Sequence, residues 1–228
     1  MGRNRTGPDE VGPDMDDIRT IGTIGAGHIG TAVARLAVAA GYEVVVSNSR
    51  GPETLADLVA ELGPHASADT AVGAATRGDL VVVTIPLHAI SEVPVEPLAG
   101  KVVVDTNNYY SARDGHIAEL DDHSATSAGL LQRHLPASHV VKAFNHIQST
   151  QLETEGTPTG TPGRRALAIY GDDPGAVDTV SRWLDELGYD AVQGGPLAES
   201  WRIEPNTPGY GPRLDADGVR QALGTATR

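Results

Sequence analysis

The residues with the clearest chemical meaning lie near the amino terminus: Gly25, Ala26, Gly27, His28, Ile29 and Gly30 fit the pattern G-x-G-x-x-G. A short apolar segment precedes them and an alanine-rich segment follows, so the pattern stands between a predicted strand and a predicted helix. In that setting Gly25 allows a tight turn, Gly27 lets a pyrophosphate approach the backbone, and Gly30 allows close helix–strand packing. The helix N-terminus then offers free N–H groups to phosphates, with His28 beside them. The alternative is a strand–helix turn that holds no ligand.

The second informative segment is Ser47, Asn48, Ser49 and Arg50, at the end of the next predicted strand. From residue 25 to residue 47 is 22 residues. At about this distance dinucleotide-binding proteins place an acidic side chain on the adenosine ribose. Here neutral hydrogen-bonding groups and an arginine replace the acid, and a guanidinium fork matches phosphate oxygens. The segment therefore predicts a 2′-phosphate ligand, and NADP rather than NAD. The alternative is a solvated turn before the next helix.

Polar residues also follow three later predicted strands. In a doubly wound sheet, ligands lie beyond the carboxyl ends of the strands, near the switch in strand order. We expect Thr84, Ile85 and Pro86 to face the pyrophosphate and the nicotinamide ribose. The segments Asp105 to Tyr110 and Lys142 to His146 are expected to border the nicotinamide and a second substrate. The alternative for each segment is a purely local role, such as ending a strand or capping a loop.

The sequence shows no catalytic dyad or triad and no metal site. Cysteine is absent, no serine lies in a G-x-S-x-G motif, and Asp121-Asp122-His123 is predicted to be a solvated loop. This scarcity of acid–base groups favours hydride transfer between two bound cofactors, which the protein needs only to align. Reduction of a carbonyl or imine is the alternative. It requires a proton donor, for which Tyr109, Tyr110 and His146 are the candidates.

Composition limits the classes of partner. The chain has 228 residues and a formal net charge of −13, which argues against binding to nucleic acid or to an anionic membrane. It contains no 18-residue apolar run and no apolar signal-peptide core. We therefore expect a cytoplasmic protein that acts on small molecules.

Apolar strands alternate with helical segments, which predicts an α/β fold: a Rossmann, doubly wound, mostly parallel sheet with a small C-terminal appendage. Residues 1–17 are predicted to be a disordered tail, and Met15 is a second candidate for the translation start. Residues 18–203 are predicted to form the dinucleotide-binding domain with a C-terminal extension of the sheet, and residues 204–228 an irregular tail. Predicted elements include a helix from Pro52 to Leu62, a strand from His139 to Phe144, and a helix beginning at Thr70 and capped by Asp69.

Several motifs together resemble one family. They are Ile24–Gly30, Ser47–Arg50, Val83–Pro86, Val104–Asn108, Val141–Asn145, Gly171–Asp173 and Gly195–Ser200. The set resembles the NADPH-dependent reductases of coenzyme F420 (also written F-420). These belong with the pyrroline-5-carboxylate reductase-like NADP-binding Rossmann proteins. The resemblance covers about residues 18 to 201.

The resemblance implies a homodimeric enzyme that transfers a hydride between NADPH and the 5-deazaflavin coenzyme F420. Ser49 and Arg50 would contact the 2′-phosphate of NADP. Ile85, Pro86 and Ala143 would lie near the nicotinamide, on which the deazaflavin would stack.

The chain departs from the family pattern on the acceptor side. Archaeal members carry a histidine near the position of Asn145 and a helical C-terminal segment, whereas here Thr207 to Pro212 is rich in glycine and proline. Asn145, His146 and Tyr110 are the substrate-side candidates. Four arginines could offset the anionic tail of coenzyme F420 if they cluster: Arg164, Arg165, Arg202 and Arg213. The alternatives are a reductase of flavin, ferric complexes or an organic carbonyl or imine, and a non-catalytic NADP-binding redox sensor.

Overall fold

The computed structural model describes residues 15–228, apart from the side chain of Asp16. Its strands are β1 (Thr20–Ile24), β2 (Glu43–Ser47), β3 (Ala66–Ala68), β4 (Leu80–Val83), β5 (Val102–Asp105), β6 (His139–Lys142), β7 (Ala166–Gly171) and β8 (Asp190–Gly195). They form one eight-stranded sheet in the order β3-β2-β1-β4-β5-β6-β7-β8. Strands β1 to β6 are parallel, β7 is antiparallel to β6, and β8 is parallel to β7. The predicted Rossmann-type, mostly parallel α/β fold is confirmed.

Helices cover both faces of the sheet. They are α1 (His28–Ala39), α2 (Ala56–Leu62), α3 (Ala71–Arg77), α4 (Ser111–Asp114), α5 (Ala118–Asp121), α6 (Ser127–His134), α7 (Ser149–Thr154), α8 (Pro174–Glu186) and α9 (Ala216–Thr225). Turns of 3₁₀ helix occupy Met15–Asp17, Pro52–Leu55, Leu87–Glu92, Glu96–Leu98 and Leu197–Ile203. Among residues 15–228, none of these helices has the length and apolar character needed to cross a bilayer.

The central strands explain why both faces must be covered. All four residues of β4 are fully buried, and successive side chains point to opposite faces. Leu80 and Val82 accordingly pack in one hydrophobic cluster, and Val81 and Val83 pack in the other. Burial of such a side chain contributes about 1.5–3 kcal/mol. The chain turns from β2 and β3 on one side of β1 to β4 on the other, so the switch in strand order lies between β1 and β4. A crevice is expected there, at the carboxyl ends of the strands.

Both predicted tails need correction. Residues 1–14 of the predicted N-terminal tail lie outside the described residues, but Met15–Asp17 forms a 3₁₀ turn and Met15 packs in the core. The C-terminal region is not irregular throughout, because α9 occupies Ala216–Thr225. The carboxylate of Asp215 accepts a hydrogen bond from the N–H of Gly218 (2.9 Å) and caps this helix. Two glycines in a ten-residue segment obscure its helical pattern.

Three predicted elements differ in detail. The hydroxyl of Thr70, rather than the carboxylate of Asp69, caps α3 by accepting a hydrogen bond from the N–H of Gly73 (3.1 Å). The segment Pro52–Leu62 begins as 3₁₀ helix and becomes α-helix only at Ala56. Strand β6 ends at Lys142 instead of Phe144, because Phe144 has a φ of 59° and turns the chain out of the sheet.

Candidate functional site

The glycine turn joins β1 to α1, and each of its glycines meets different surroundings. Gly25 has a φ of +108°, and a Cβ there would lie 2.1 Å from the carbonyl oxygen of Thr84. A Cβ on Gly30 would lie 2.2 Å from the carbonyl oxygen of Gly25. Gly27 differs, because it has an ordinary φ of −81° and a Cβ there would meet nothing within 4 Å. The fold therefore requires glycine at 25 and 30, whereas at Gly27 the side-chain space is open.

Helix α1 begins at His28 directly after this open space. Its N-cap, Gly27, provides no side-chain hydrogen bond, and its first turn contains no acidic residue. The N–H groups at this end thus have no capping side chain, and the helix dipole adds partial positive charge. Such a helix end favours an anion such as a pyrophosphate.

In the loop after β2, two residues hold the backbone in shape and two are exposed to solvent. Ser47 is buried and donates a hydrogen bond to the carbonyl oxygen of Thr23 (2.7 Å). Asn48 organises the turn: its Oδ1 accepts hydrogen bonds from the N–H groups of Arg50 (2.9 Å) and Gly51 (3.0 Å). The side chains of Ser49 and Arg50 are exposed. Within the described residues, the guanidinium of Arg50 has no ion-pair partner and remains open to an anion.

A first cleft of about 530 Å³ runs from the glycine turn to this loop. Its lining comprises Ile24, Gly25, Ala26, Gly27, Ser47, Asn48, Ser49, Arg50, Ala71, Thr84, Ile85, Pro86, His88, Ala89, Glu92 and Val93. The cleft therefore brings the two segments singled out in the sequence, residues 25–27 and 47–50, onto one surface.

A second cleft of about 700 Å³ lies over the ends of β4 and β5. Its lining comprises Gly27, His28, Ile29, Thr84, Ile85, Pro86, Thr106, Asn107, Asn108, Tyr110, Arg113, Asn145, Ile147, Gln148, Ser149, Thr150 and Tyr210. Gly27 and the segment 84–86 line both clefts. The two clefts thus meet at the switch point of the sheet.

A buried polar network supports the floor between the clefts. Lys142 and Asp105 form an ion pair (Nζ–Oδ2, 3.0 Å) in which neither side chain is exposed to solvent. Nζ of Lys142 also donates to the carbonyl oxygen of Asn107 and to the hydroxyl of Ser127 (2.9 Å). Oδ1 of Asp105 accepts from the N–H of Asn107 (2.8 Å), and Oδ1 of Asn107 accepts from the N–H of Ile85 (3.1 Å). The network holds the ends of β4, β5 and β6 in one arrangement.

Two tyrosines and an arginine form the rim of the second cleft. The hydroxyl groups of Tyr110 and Tyr210 lie 2.5 Å apart. Burial, together with this hydrogen bond, raises the pKa of Tyr210 above its usual range, so its hydroxyl stays protonated near neutral pH. Arg113 lies over the ring of Tyr110, with 5.0 Å from its guanidinium carbon to the ring centroid. The rim can thus donate hydrogen bonds, and its guanidinium is paired on one edge with Asp114.

Residues 20–109 match the family described as NADP oxidoreductase, coenzyme F420-dependent. This segment makes up less than half of the chain. It contains the glycine turn, the loop after β2 and the shared floor of the two clefts, so the family match and the geometry concern the same residues.

Three similar proteins match more of the chain than this segment. The chain is 29% identical over 186 residues, 81% of its length, to metalloreductase STEAP3 of Rattus norvegicus, and covers 35% of that protein. It superposes on the hypothetical protein SMa0349 of Sinorhizobium meliloti with a TM-score of 0.75 and 28% identity, covering 87% of this chain and 96% of the other. A protein of Arthrobacter sp. FB24 proposed to be an F420-dependent NADP reductase shares the fold (TM-score 0.68, 24% identity, 80% and 87% covered). The chain spans little more than a third of the curated relatives it matches.

The fold places Asn145 and His146 in surroundings that the sequence does not predict. The Nδ2 group of Asn145 donates to the carbonyl oxygen of Ile203 (2.7 Å) and to Oδ1 of Asn108 (3.0 Å). Asn145 lines the second cleft, but these bonds tie it to the C-terminal segment. His146 lies behind it, where Nε2 accepts from the N–H of Ala168 (3.1 Å) and Nδ1 donates to Oδ1 of Asn145 (3.1 Å). Burial, followed by the positive charges of Arg165 and Lys142, lowers the pKa of His146 to about 3. A buried, neutral histidine with both ring nitrogens bonded cannot be the proton donor for a ligand in the cleft.

Two further residues singled out in the sequence, Ala143 and Tyr109, line neither cleft. Ala143 was expected near the nicotinamide, but it is fully buried in a hydrophobic cluster and lines neither cleft. Tyr109 was a candidate proton donor, but its hydroxyl donates to Oδ1 of Asp121 (2.6 Å) and also contacts the carbonyl oxygen of Gly115 (3.1 Å). Of the three proposed proton donors, Tyr110 is the one that lines the second cleft.

The four arginines proposed for an anionic tail do not gather at either cleft. Arg164 pairs with Asp185 and Asp190, and Arg165 and Arg213 both pair with Glu155. Arg202 pairs with Glu199 and lies over the ring of Trp201. Their charges are therefore used in ion pairs elsewhere in the described chain.

Residues that sequence reasoning missed lie mainly around the second cleft. Arg113 lies a few residues after the polar segment that follows β5. That position in the sequence is the one feature that could have suggested a place near the cleft. Tyr210 lies 100 residues from Tyr110, and no local pattern links the two. The Lys142–Asp105 pair could have been suspected, because two charged residues occupy corresponding ends of apolar strands that pair in register.

Proposed function

We propose that the chain is an NADP-dependent oxidoreductase that transfers a hydride between NADPH and the deazaflavin coenzyme F420. One observation carries the proposal: the two clefts share Gly27 and residues 84–86. A dinucleotide whose adenosine half lies in the first cleft can therefore extend its nicotinamide over the shared floor into the second. The second cleft then supplies the place for the hydride acceptor.

The adenosine half of the proposal rests on the loop after β2. Ser49 and Arg50 are exposed in the first cleft, and Arg50 carries a charge that no acidic partner in the described chain neutralises. We assign them to the 2′-phosphate of NADP, because a guanidinium and a hydroxyl suit phosphate oxygens. Ser47 and Asn48 hold this loop in shape through their bonds to the backbone. The pyrophosphate would lie against Gly27 and the N-terminus of α1.

The acceptor half rests on the composition of the second cleft. Its lining contains no carboxylate and no histidine paired with a nucleophile. Such a cleft suits a reaction in which two bound rings exchange a hydride and the protein aligns them. The balance is simple: NADPH gives a hydride to the deazaflavin ring, the ring takes one proton from solvent, and NADP⁺ and the reduced deazaflavin result.

The test is a spectrophotometric assay of the purified chain with NADPH and coenzyme F420. We expect the 420 nm absorbance of the oxidised deazaflavin to fall together with the 340 nm absorbance of NADPH. FMN and a ferric chelate belong in the same screen, since one relative is a metalloreductase. Turnover with either of these but not with coenzyme F420 would reassign the acceptor. Tight NADPH binding without turnover of any acceptor would favour the redox-sensor alternative.

A second candidate function is the reduction of a carbonyl or imine, which needs a proton as well as a hydride. The hydrogen-bonded pair Tyr110 and Tyr210 favours it, because one hydroxyl donates to the other and one O–H remains for a substrate. Loss of carbonyl or imine turnover in Tyr110→Phe, with NADPH binding retained, would support this reaction. The same variant should retain deazaflavin turnover if the ring takes its proton from solvent.

A further inference from the structure

The side chains that line the second cleft differ in charge from the chain as a whole. The chain has a formal net charge of −13, yet no Asp or Glu lines this cleft in the described structure. Arg113 is the single Lys or Arg among the lining residues, and His28 is the other side chain that can carry positive charge. Amides and hydroxyls provide the remaining polar groups. A cleft that no carboxylate lines tolerates an anionic ligand better than the acidic surface around it. Arg113 is paired with Asp114 but still offers hydrogen-bond donors at the rim.

Arg113 is held in a defined orientation at the end of α4. Its Nε and Nη2 donate to the two carboxylate oxygens of Asp114 (2.9 and 2.8 Å), and Nη2 also donates to the carbonyl oxygen of Asn108 (2.7 Å). Nη1 donates to no group in the described chain. The side chain is 42% exposed, whereas that of Asp114 is fully buried. Asp114 therefore fixes one edge of the guanidinium and leaves the Nη1 edge available.

The buried carboxylate of Asp114 is itself well supported. It accepts hydrogen bonds from the N–H of Tyr110 (2.9 Å) and from Nδ1 of His88 (3.1 Å). Burial alone would raise the pKa of Asp114, but the bonds from Arg113, Tyr110 and His88 lower it to about 2. Asp114 thus stays ionised and keeps Arg113 in place. The ring of Tyr110 packs under the guanidinium and further restricts its rotation.

We propose that Arg113 is a specificity-determining residue that binds an anionic phosphate or carboxylate group of the hydride acceptor at the rim of the second cleft. The inference rests on the proposed function and narrows the acceptor to a class: a flat ring system that carries an anionic side chain. The free Nη1 edge donates to the anion, and the remaining O–H of the Tyr110–Tyr210 pair is a second donor nearby. A neutral acceptor with the same ring gains nothing from this contact.

The test compares acceptors that share a ring and differ in charge. Coenzyme F420 carries a phosphodiester and carboxylates, whereas its ring with only a ribityl chain is neutral. In Arg113→Gln we expect the KM for coenzyme F420 to rise about tenfold, the size of one charge-assisted hydrogen bond. The kcat, and the KM for the neutral deazaflavin, should stay near those of the unmodified protein. Arg113→Lys should recover part of the loss, and added salt should weaken coenzyme F420 binding in the unmodified protein more than in Arg113→Gln.

The FMN and riboflavin pair separates the two kinds of anion, because FMN adds only a phosphate. Discrimination between these two that depends on Arg113 assigns the site to phosphate. Discrimination confined to coenzyme F420 assigns it to the carboxylates. Arg133→Gln is the matched control, since Arg133 is also exposed and makes a two-pronged contact with a carboxylate, Glu119, but lines neither cleft. That variant should bind both deazaflavins as the unmodified protein does.

Two results would overturn the proposal. Equal losses for the charged and neutral deazaflavins in Arg113→Gln would show that Arg113 only shapes the cleft. A raised Kd for NADPH with unchanged acceptor binding would place Arg113 in the nucleotide site. Absence of turnover in the unmodified protein would instead defeat the proposed function. Fluorescence titration of the two deazaflavins against the NADP⁺-bound protein would still decide the role of Arg113.

Discussion

At Gly27 the protein leaves a space that none of its own atoms fills. A side chain there would meet nothing within 4 Å, and the backbone angles are open to any residue. Gly25 and Gly30 are constrained by contacts with Thr84 and with the turn itself. Gly25 and Gly30 are therefore required by the fold, whereas Gly27 leaves space that a ligand can occupy. Substitution of single glycines tests this distinction.

We expect Gly27→Ala to fold with almost unchanged thermal stability and to lose NADPH affinity by roughly tenfold or more, because the added methyl occupies the space proposed for the pyrophosphate. Isothermal titration and a thermal melt measure the two effects. Gly224→Ala is the matched control, since its Cβ also meets open space but lies in α9, away from both clefts. Gly25→Ala should instead lower the melting temperature. A Gly27→Ala protein that binds NADPH normally would remove the pyrophosphate from this turn.

Arg50 provides the second test at this scale. Its charge has no acidic partner in the described chain, and no pair must be broken to remove it. In Arg50→Ala the Kd for NADPH should rise roughly 10- to 100-fold, the equivalent of one or two charge-assisted bonds. The Kd for NADH should change little, because NADH lacks the 2′-phosphate. Equal losses for both nucleotides would show that Arg50 does not recognise the phosphate.

Among the elements, β5 and β6 are joined by a charge pair at their carboxyl ends. Lys142 and Asp105 are buried together, and the same network positions Asn107 against the N–H of Ile85 on the floor of the clefts. A buried pair adds little stability by itself, but the loss of one partner leaves an uncompensated charge. The network therefore makes the geometry of the floor depend on strand register.

We expect Lys142→Met to lower the free energy of unfolding by about 3–5 kcal/mol, because Asp105 then remains buried without a counter-charge. Urea denaturation followed by circular dichroism measures the change. The double variant Lys142→Met/Asp105→Asn should recover much of the loss, since the amide is neutral and its oxygen can still accept the N–H of Asn107. No recovery would mean that the ammonium bonds to Ser127 and to the carbonyl oxygen of Asn107 matter more than the charge.

For the whole molecule, we expect the buried His146 to make the free energy of unfolding depend on pH in the acid range. It is buried and neutral, and its Nε2 accepts the N–H of Ala168 on β7. Its pKa falls from about 6.5, the usual value, to about 3 in the folded protein. Between these values the unfolded chain binds a proton that the folded chain does not, so stability is complete above about pH 6.5 and falls toward pH 3.

The expected slope is about 1.4 kcal/mol per pH unit from this one residue over that window. Denaturation curves of the unmodified protein and of His146→Gln, taken from pH 7.5 to pH 4.5, measure it. Glutamine does not titrate and can still offer an oxygen to the N–H of Ala168, so the variant should show a shallower loss. Parallel pH profiles for the two proteins would show that other groups govern acid stability.

The sequence by itself determined the parts of the protein that depend on contiguous residues. The glycine turn, the neutral and arginine-bearing loop after β2, and the apolar parallel strands all follow from local conformation and from the alternation of side chains along a strand. These features were enough to predict the Rossmann-type fold and to bring residues 25–27 and 47–50 to one surface. Tertiary structure alone decided the surroundings of the second cleft. Side-chain direction and burial there depend on contacts between distant segments, such as Tyr110 with Tyr210, Lys142 with Asp105 and His146 with Ala168. Burial keeps His146 and Ala143 out of the clefts, the bond to Asp121 holds Tyr109 away from them, and the bonds to Asp114 and Asn108 hold Arg113 at the rim.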